Sequence, residues 1–319
     1  MTKISCVYMG TPQFSIPTLE ALRLSEFVDL VAVVTMPDRP AGRGKQLQSP
    51  AVAEYAKLHN IKLFQEANIN KSQEFLSFCE QSRPDVFIVL SFAQFLSQKT
   101  LDIPRLGCFN IHTSLLPKYR GAAPIHYALK NGDLETGVSI QKMVKKMDAG
   151  DLCLSLPVEI SKNDDIVSLS NKLSLLSAEC MPSFLEQLVT SKLKFTAQDE
   201  NQVSIAPEIG KEEGFVDFQK QSALQIINLY RAFKLWPSLF YYHQGLRYKI
   251  AEMALSVCSG STLPPGIVDL NSGRMLIGTV EGVVEILQIQ PEGKKAISIK
   301  DYMNGLKSKG LNLKFAIEG

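Results

Sequence analysis

The sequence predicts an α/β fold: a Rossmann-like, mostly parallel sheet with helices on both faces, followed by a smaller β-barrel. Over the first part of the chain, short apolar runs rich in β-branched residues alternate with helical segments, which is typical of a parallel sheet covered on both sides. After about residue 192 the pattern changes to short alternating segments separated by turns, which indicates a barrel. The 319 residues fit two domains better than one core.

Four apolar runs supply the predicted strands of the first sheet, and helical segments lie between and after them. The predicted strands are 3–9, 28–34, 85–90 and 107–112. The predicted helices are 15–24, 50–59, 71–81, 120–131 and 165–190. Asp164 or Asp165 is placed to cap the last of these helices, and Pro182 is placed to kink it. Its buried face is predicted to carry Leu169, Leu173, Leu176 and Cys180.

The chain is predicted to divide into a first domain over 1–191, a linker over 192–209 and a C-terminal domain over 210–319. The linker segment has little periodicity and many polar side chains. The C-terminal domain is predicted to open with a helix over 221–234. Turn sequences such as HQG, LPPG, NSG and PEG then separate its predicted strands, which are 239–243, 246–252, 274–279 and 283–289.

Composition limits the classes of protein that the chain can represent. Hydrophobic residues make up 45% and charged residues 21%, and no run approaches the roughly 18 apolar residues of a membrane-spanning helix. We therefore expect a cytoplasmic protein without a membrane partner. The six cysteines form no CxxC pair or Cys/His cluster, so we expect neither a disulfide framework nor a zinc site. The net charge of +2 leaves nucleic-acid binding to local patches.

Two polar residues near the end of a buried strand form the first candidate site. Asn110 and His112 are two residues apart, so both side chains point to the same face of the strand over 107–112. Ligands of doubly wound sheets bind outside the carboxyl ends of the strands. An amide donor beside an imidazole suits a reaction that builds negative charge on a carbonyl oxygen. A buried Asn and His that bond only to backbone groups would give the same spacing.

Asp148 is the third candidate residue. It lies in KMDAGD, a turn of small residues between the apolar stretches 138–144 and 152–158. A carboxylate beside a histidine orients the ring and favours its charged form. The alternative is an ordinary turn aspartate, which the segment would also accommodate.

The segment SLLPKYRGAAPI, residues 114–125, leaves the strand as a rigid turn. Pro117 fixes its own φ and Gly121 permits close backbone approach, so a planar ligand fits against such a turn. The alternative is a well-packed connection between strand and helix. After the first predicted strand, YMGTPQF has one glycine where a dinucleotide site needs the three of GxGxxG, which disfavours a nicotinamide oxidoreductase.

The segment MPDRPAGRGKQLQSP, residues 36–50, is predicted to be an exposed loop after the second strand. Arg39, Arg43 and Lys45 stand among its prolines and glycines, where their charges are available to phosphate. The loop is long for a connection between a strand and a helix, which favours a function over a solvated turn.

Together these segments resemble the folate-dependent formyltransferases and, within them, the branch that acts on tRNA. The resemblance covers essentially the whole chain, because the motifs fall in the family's order and spacing. They are GTPQFSIPTL, PDRPAGRGK, GCFNIHTSLLPKYRGAAPI, ETGVSIQKM, MDAGD, RAFKLWP and QPEGKKAIS. NxHxSLLPxxRGAAPI with a downstream DxGD is highly specific for the family, and PDRPAGRGK is specific to the tRNA branch.

The resemblance implies transfer of the formyl group of 10-formyltetrahydrofolate to the α-amino group of methionyl initiator tRNA, without a metal. It implies that the first domain is catalytic and that the second is OB-like and binds tRNA, and we expect a monomer. The catalytic trio of the family matches Asn110, His112 and Asp148. The turn that contacts folate matches Ser114, Leu115, Leu116 and Pro117. The basic loop that enters the tRNA acceptor end matches Arg43, with Arg39 and Lys45 beside it.

The chain departs from the family pattern at four positions. In SFAQFLSQ, a loop that the resemblance implies borders the folate pocket, Ala93 replaces a glycine and Ser97 a proline. Thr113 replaces a small residue between His112 and Ser114, and Glu208 stands where the family usually has lysine. Three alternatives to tRNA formylation remain: a formyltransferase for a sugar-nucleotide amine, a non-catalytic tRNA-binding relative, and a hydrolase of formyl-folate that uses the same trio.

Overall fold

The computed structural model describes residues 3–41, 46–256, 263–270, 273–307 and 314–317. The chain forms two compact units. The first consists of residues 1–124, 135–159 and 168–207, and the second of residues 125–134, 160–167 and 208–319. The domain limits 1–191 and 210–319, with a linker between them, stay a prediction.

A seven-stranded sheet is the framework of the first unit as far as the structure describes it. The strands of this unit are β1 (Ile4–Gly10), β2 (Val28–Thr35), β3 (Arg39–Ala41), β4 (Gln46–Gln48), β5 (Leu63–Gln65), β6 (Val86–Leu90), β7 (Gly107–His112), β8 (Glu135–Lys142) and β9 (Leu152–Glu159). The sheet runs in the order β5-β2-β1-β6-β7-β8-β9, and β3 pairs with β4 in a separate hairpin.

The sheet is parallel from β5 to β7 and antiparallel from β7 to β9. The four strands predicted from apolar runs are β1, β2, β6 and β7. The strand order reverses between β1 and β6, which places the ligand-binding edge of a doubly wound sheet at their carboxyl ends. The antiparallel pair β8 and β9 comes from the apolar stretches on either side of Asp148. The prediction of a mostly parallel α/β sheet is confirmed.

The helices are α1 (Ile16–Arg23), α2 (Ala51–Leu58), α3 (Gln73–Ser82), α4 (Gln98–Leu101), α5 (Pro124–Lys130), α6 (Ile166–Glu179), α7 (Met181–Val189), α8 (Ala223–Ala232) and α9 (Ile299–Lys307). The single helix predicted over 165–190 is two helices, because the chain breaks at Cys180 and Pro182 lies in the first turn of α7. Asp165 begins α6 by accepting a hydrogen bond from the backbone N–H of Val167 at 2.9 Å.

The helix predicted over 120–131 begins only at Pro124. The residues before it are used elsewhere: the backbone of Arg120 pairs with residues 204–206, which lie in the segment predicted as a linker. The same segment pairs with the sheet a second time, through Thr196 and Leu152. Residues 192–207 therefore lie on the first unit through backbone hydrogen bonds, which their polar composition did not reveal.

One core of the first unit fills the space between the sheet and α3. Phe64, Phe75 and Phe87 are at most 2% exposed, and the rings of Phe64 and Phe75 meet edge to face with centroids 5.4 Å apart. Burying each such ring is worth about 1.5–3 kcal/mol. Ser72 begins α3 by accepting a hydrogen bond from the backbone N–H of Phe75. This packing fixes the parallel strands whose carboxyl ends carry polar residues.

The second unit contains a curled antiparallel sheet. Its strands are β10 (Phe240–His243), β11 (Leu246–Leu255), β12 (Ile267–Asp269), β13 (Met275–Gly278), β14 (Val283–Pro291), β15 (Ile297–Ser298) and β16 (Lys314–Ala316). They run in the order β10-β11-β14-β13-β12-β16, with β15 beside β14. The register between β11 and β14 shifts between Ile250 and Met253, which bends the long strand β11. The helix predicted over 221–234 is α8, which begins with a capping box of Ser222 and Gln225.

Candidate active site

Asn110 and His112 lie on the same face of β7, as the spacing predicted, and His112 is the last residue of the strand. The His112 side chain is 7% exposed. Its Nε2 lies 2.8 Å from the carbonyl oxygen of Tyr119. A carbonyl only accepts, so Nε2 carries the hydrogen of that bond. Nδ1 is then the nitrogen that faces the rest of the site, and Asp148 Oδ2 lies 3.7 Å from it.

Asp148 joins the other two residues from the loop between β8 and β9. Its Oδ2 accepts a hydrogen bond from the backbone N–H of Gly121 at 2.9 Å. Its Oδ1 accepts from Gln141 Nε2 at 3.0 Å and from Asn110 Nδ2 at 3.4 Å. The structure thus brings Asn110, His112 and Asp148 together, and donors from three segments satisfy both carboxylate oxygens. Asp148 has a φ of +50°, a left-handed conformation that non-glycine residues adopt where their surroundings hold them.

Gln141 is a site residue that the sequence reasoning missed. It is 2% exposed and lies directly opposite Asn110 in the β7–β8 ladder. Besides donating to Asp148, it accepts a hydrogen bond from the backbone N–H of Gly150 at 3.0 Å. The signal was present in the sequence, because Ser139 and Gln141 are polar residues two positions apart in a buried strand, as are Asn110 and His112.

Gln198 is the second missed residue, and it lies in the segment that was predicted to be a linker. It contacts the backbone of the loop that holds Asp148 and the guanidinium of Arg120. Arg120 also donates to Glu200, as Lys146 does. These hydrogen bonds, first from Arg120 and then from Lys146, lower the pKa of the Glu200 carboxyl to about 2.

The turn after His112 is held rigidly, mainly by one serine of β8. Ser139 Oγ donates to the Ser114 carbonyl at 2.8 Å and accepts from the Leu116 backbone N–H at 3.1 Å. Ser114 Oγ is fully buried and donates to the Lys118 carbonyl at 2.6 Å. The Leu116–Pro117 peptide bond is cis. Of the four residues predicted to contact folate, Ser114 and Leu116 are buried, while Leu115 and Pro117 keep part of their surface exposed.

The segment 36–50 was predicted to be an exposed loop. Its residues 38–40 and 46–48 are exposed, but β3 and β4 pair as antiparallel strands, which corrects the prediction of a loop. Arg39 lies on β3 and is exposed. Arg43 and Lys45 lie outside the described residues. The prolines and glycines of this segment suggested a loop, but they do not exclude strands. Pro40 lies on β3, an edge strand, where its missing N–H is tolerated.

The sequence predicted neither a metal site nor a membrane-spanning helix. Within residues 3–41, 46–256, 263–270, 273–307 and 314–317, no group of three or more His, Cys, Asp or Glu side chains is placed to hold a metal ion. That no metal is needed stays a prediction. No helix among the same residues is long and apolar enough to cross a membrane.

Cys6, Cys79, Cys108 and Cys180 are free and buried, and burial raises the pKa of the Cys79 thiol to about 12.

Family models and known proteins match this chain over nearly its whole length. Residues 2–185 match the model for formyl transferase, and residues 208–307 match that for the formyl transferase C-terminal domain. The chain is 39% identical over 307 residues to a methionyl-tRNA formyltransferase of Enterococcus faecalis, covering 96% of both chains. It is 37% identical over 315 residues to one of Macrococcus caseolyticus, covering 99% of both.

Solved structures agree with the fold. An N-formyltransferase from Helicobacter canadensis, in complex with folinic acid and dTDP-3-aminofucose, superposes with a TM-score of 0.65 at 18% identity. The match covers 89% of this chain and 99% of that one.

Proposed function

Because this chain belongs to the formyl transferase family, where its curated relatives are methionyl-tRNA formyltransferases, we propose that it formylates methionyl initiator tRNA. The chain is a formyl-transferring enzyme. Its donor would be 10-formyltetrahydrofolate, and its products N-formylmethionyl-tRNA for translation initiation and tetrahydrofolate. The observation that carries the proposal is the convergence of Asn110, His112 and Asp148 at the end of β7.

The free α-amine of the esterified methionine is the nucleophile. Its lone pair forms a bond to the formyl carbon, the bond from that carbon to folate N10 breaks, and N10 gains the proton that the amine loses. Charge collects on the formyl oxygen in between. Asn110 Nδ2 supplies a hydrogen-bond donor for that oxygen, and losing one such donor costs about 3–4 kcal/mol in other enzymes. No covalent enzyme intermediate is required.

His112 takes part through Nδ1, because Nε2 is engaged by the Tyr119 carbonyl. A proton on Nδ1 stabilises the developing oxyanion and passes to the departing folate nitrogen, and the proton that the amine loses replaces it by way of Asp148. Asp148 Oδ2 faces Nδ1 at 3.7 Å, so the carboxylate orients the ring and is placed to receive the amine proton through a water molecule.

We propose that the pterin ring of the folate binds against the turn at 114–117. Ser114 and Leu116 are buried and hold the turn, so the surface offered to the ring comes from Leu115, Pro117 and the backbone. A rigid apolar turn suits a flat ring because little conformational entropy is lost on binding.

The tRNA would be bound by the second unit and by the basic residues of the 36–50 segment. The C-terminal residues 208–319 hold 13 Lys and Arg against 11 Asp and Glu, so local patches must supply the phosphate contacts. We propose that Arg43, with Arg39 and Lys45, contacts the acceptor end. We expect the enzyme to act as a monomer in the cytoplasm, where charged tRNA is used.

The experiment that tests this function offers 10-formyltetrahydrofolate labelled in the formyl group to three samples of the enzyme. One contains methionyl initiator tRNA, one a sugar-nucleotide amine, and one no acceptor. We expect label in the tRNA alone. Label in the sugar nucleotide, or loss of formyl from folate without an acceptor, would establish a different formyltransferase or a hydrolase. Binding of tRNA without transfer would establish a non-catalytic relative.

A further inference from the structure

Gln198 connects two parts of the candidate site. Its Nε2 donates to the carbonyl oxygen of Asp148 at 2.9 Å and to that of Gly150 at 2.7 Å. Its Oε1 accepts two hydrogen bonds from Arg120, from Nε at 3.0 Å and from Nη2 at 2.8 Å. One amide thus ties the loop that carries Asp148 to the segment that follows the turn.

The orientation of this amide is fixed by its partners. A guanidinium only donates and backbone carbonyls only accept, so the Gln198 oxygen must face Arg120 and its nitrogen must face the loop. Arg120 is itself buried and hydrogen-bonded. Its side chain is 3% exposed, its backbone N–H donates to the Ser204 carbonyl, and its carbonyl accepts from the Ala206 N–H. Gln198 is therefore anchored to a residue that is held through both its side chain and its backbone.

The segment that anchors Gln198 also bonds to both His112 and Asp148. Tyr119 accepts the Nε2 hydrogen of His112, and Gly121 donates to the Asp148 carboxylate. The Asp148 backbone has a φ of +50°, so it needs partners to keep this conformation. Gln198 supplies them by donating to the Asp148 and Gly150 carbonyls. Because Gln198 also bonds to Arg120, it connects this loop to the residue next to Tyr119, whose carbonyl bonds to His112.

We infer that Gln198 is a positioning residue that sets the separation of the Asp148 carboxylate and the His112 imidazole. Its bonds run to the loop backbone, to Arg120 and, at 3.5 Å, to Gln141 Oε1, so it acts on the carboxylate through these groups. This inference rests on the proposed function for its kinetic consequences. Its structural part does not depend on the reaction: donation from Gln198 Nε2 keeps the Asp148 carboxylate bonded to the Gly121 N–H.

The test compares Gln198→Ala, Gln198→Glu and a control, Gln202→Ala, in the full chain. Gln202 lies on the same segment, is exposed and bonds only to Asp199 among the hydrogen bonds identified for it. Gln198→Glu keeps oxygens for Arg120 but loses the donor nitrogen. We expect kcat for formyl transfer to fall about 10- to 100-fold in both Gln198 variants, with KM for folate and tRNA changed less than about twofold. Gln202→Ala should keep the wild-type kcat.

A second readout is hydrogen exchange at the Gly121 amide, whose hydrogen bond ends on Asp148 Oδ2 at 2.9 Å. We expect exchange at this amide to be about tenfold faster in both Gln198 variants and unchanged in Gln202→Ala. A wild-type kcat in either Gln198 variant would overturn the inference. If the wild-type enzyme transfers no formyl, the proposed function fails, and exchange alone then decides: unchanged rates at Gly121 in the Gln198 variants would overturn the positioning role as well.

Discussion

Two of the loops in the first unit that contain a non-glycine residue with positive φ are held by hydrogen bonds to different kinds of group. We call residues 143–151 the Asp148 loop and residues 91–97 the Ala93 loop. In the Asp148 loop, side chains from outside reach in: Gln141 and Gln198 bond to its carboxylate and backbone. In the Ala93 loop, whose Ala93 has a φ of +62°, the Asn70 side chain bonds to the backbone of Phe95 and Ser97, and a side chain of the loop itself also reaches out.

That side chain is Gln94. Its Oε1 accepts from the Ile69 backbone N–H at 2.9 Å, and its Nε2 donates to the Glu66 carbonyl at 2.6 Å. It holds the Ala93 loop against the chain beside it without fixing any titratable group. The two loops differ in the group that is fixed: in the Asp148 loop several donors bond to a reacting carboxylate, whereas in the Ala93 loop Gln94 and Asn70 bond to groups that do not titrate.

The largest effect should follow from the carboxylate of the Asp148 loop. Asp148→Asn keeps the size of the side chain but removes its charge and turns an NH₂ group towards donors on Gly121 or Gln141. We expect kcat for formyl transfer to fall about 10³-fold, in steady-state assays with both substrates saturating. Glu159→Gln, the same change at an exposed position at the end of β9, is the control and should keep the wild-type rate.

Removing one of the donors to the Asp148 loop should cost less. Gln141→Leu leaves Asp148 Oδ1 with only the long bond to Asn110 and leaves the Gly150 N–H without its acceptor. We expect kcat to fall about 10- to 100-fold while KM for folate stays within about twofold. An unchanged kcat would show that the remaining donors suffice to hold the carboxylate.

The corresponding change in the Ala93 loop should affect binding rather than turnover. Gln94→Ala removes the bonds to Ile69 and Glu66 but leaves those of Asn70, so it loosens the loop that the family resemblance places beside the folate site. We expect KM for 10-formyltetrahydrofolate to rise about three- to tenfold with kcat nearly unchanged, measured by varying folate at saturating tRNA. A loss of kcat equal to that of Gln141→Leu would remove the distinction between the two loops.

The smallest effect concerns backbone strain. Ala93 occupies a left-handed conformation in which glycine has no steric penalty, and the strain exceeds the extra chain entropy that glycine brings to the unfolded state. We expect Ala93→Gly to raise the free energy of unfolding by about 0.5–1 kcal/mol in denaturant titrations. Ala178→Gly, the same change within α6, should lower it by about 1 kcal/mol. A loss of stability in Ala93→Gly would contradict the strain argument.

The sequence predicted the parts of this site that depend on local pattern. Period-2 spacing placed Asn110 and His112 on one face, and the apolar runs around Asp148 became β8 and β9. Tertiary contacts supplied the rest. Gln198 lies 50 residues from Asp148 in a polar segment without periodicity, and it is brought to the loop by the pairing of Thr196 with Leu152 and of residues 204–206 with Arg120. The hairpin of β3 and β4 was missed because two three-residue strands have no measurable alternation.

The most direct test of whether His112 and Asp148 act as one unit is a double-mutant cycle on single-turnover formyl transfer, with His112→Ala, Asp148→Asn and the double variant. If the carboxylate works by orienting the imidazole, removing the second group after the first should cost little more. We therefore predict a double variant within about threefold of the slower single variant. Losses that multiply would show that the two side chains act independently, and would contradict the arrangement proposed for them.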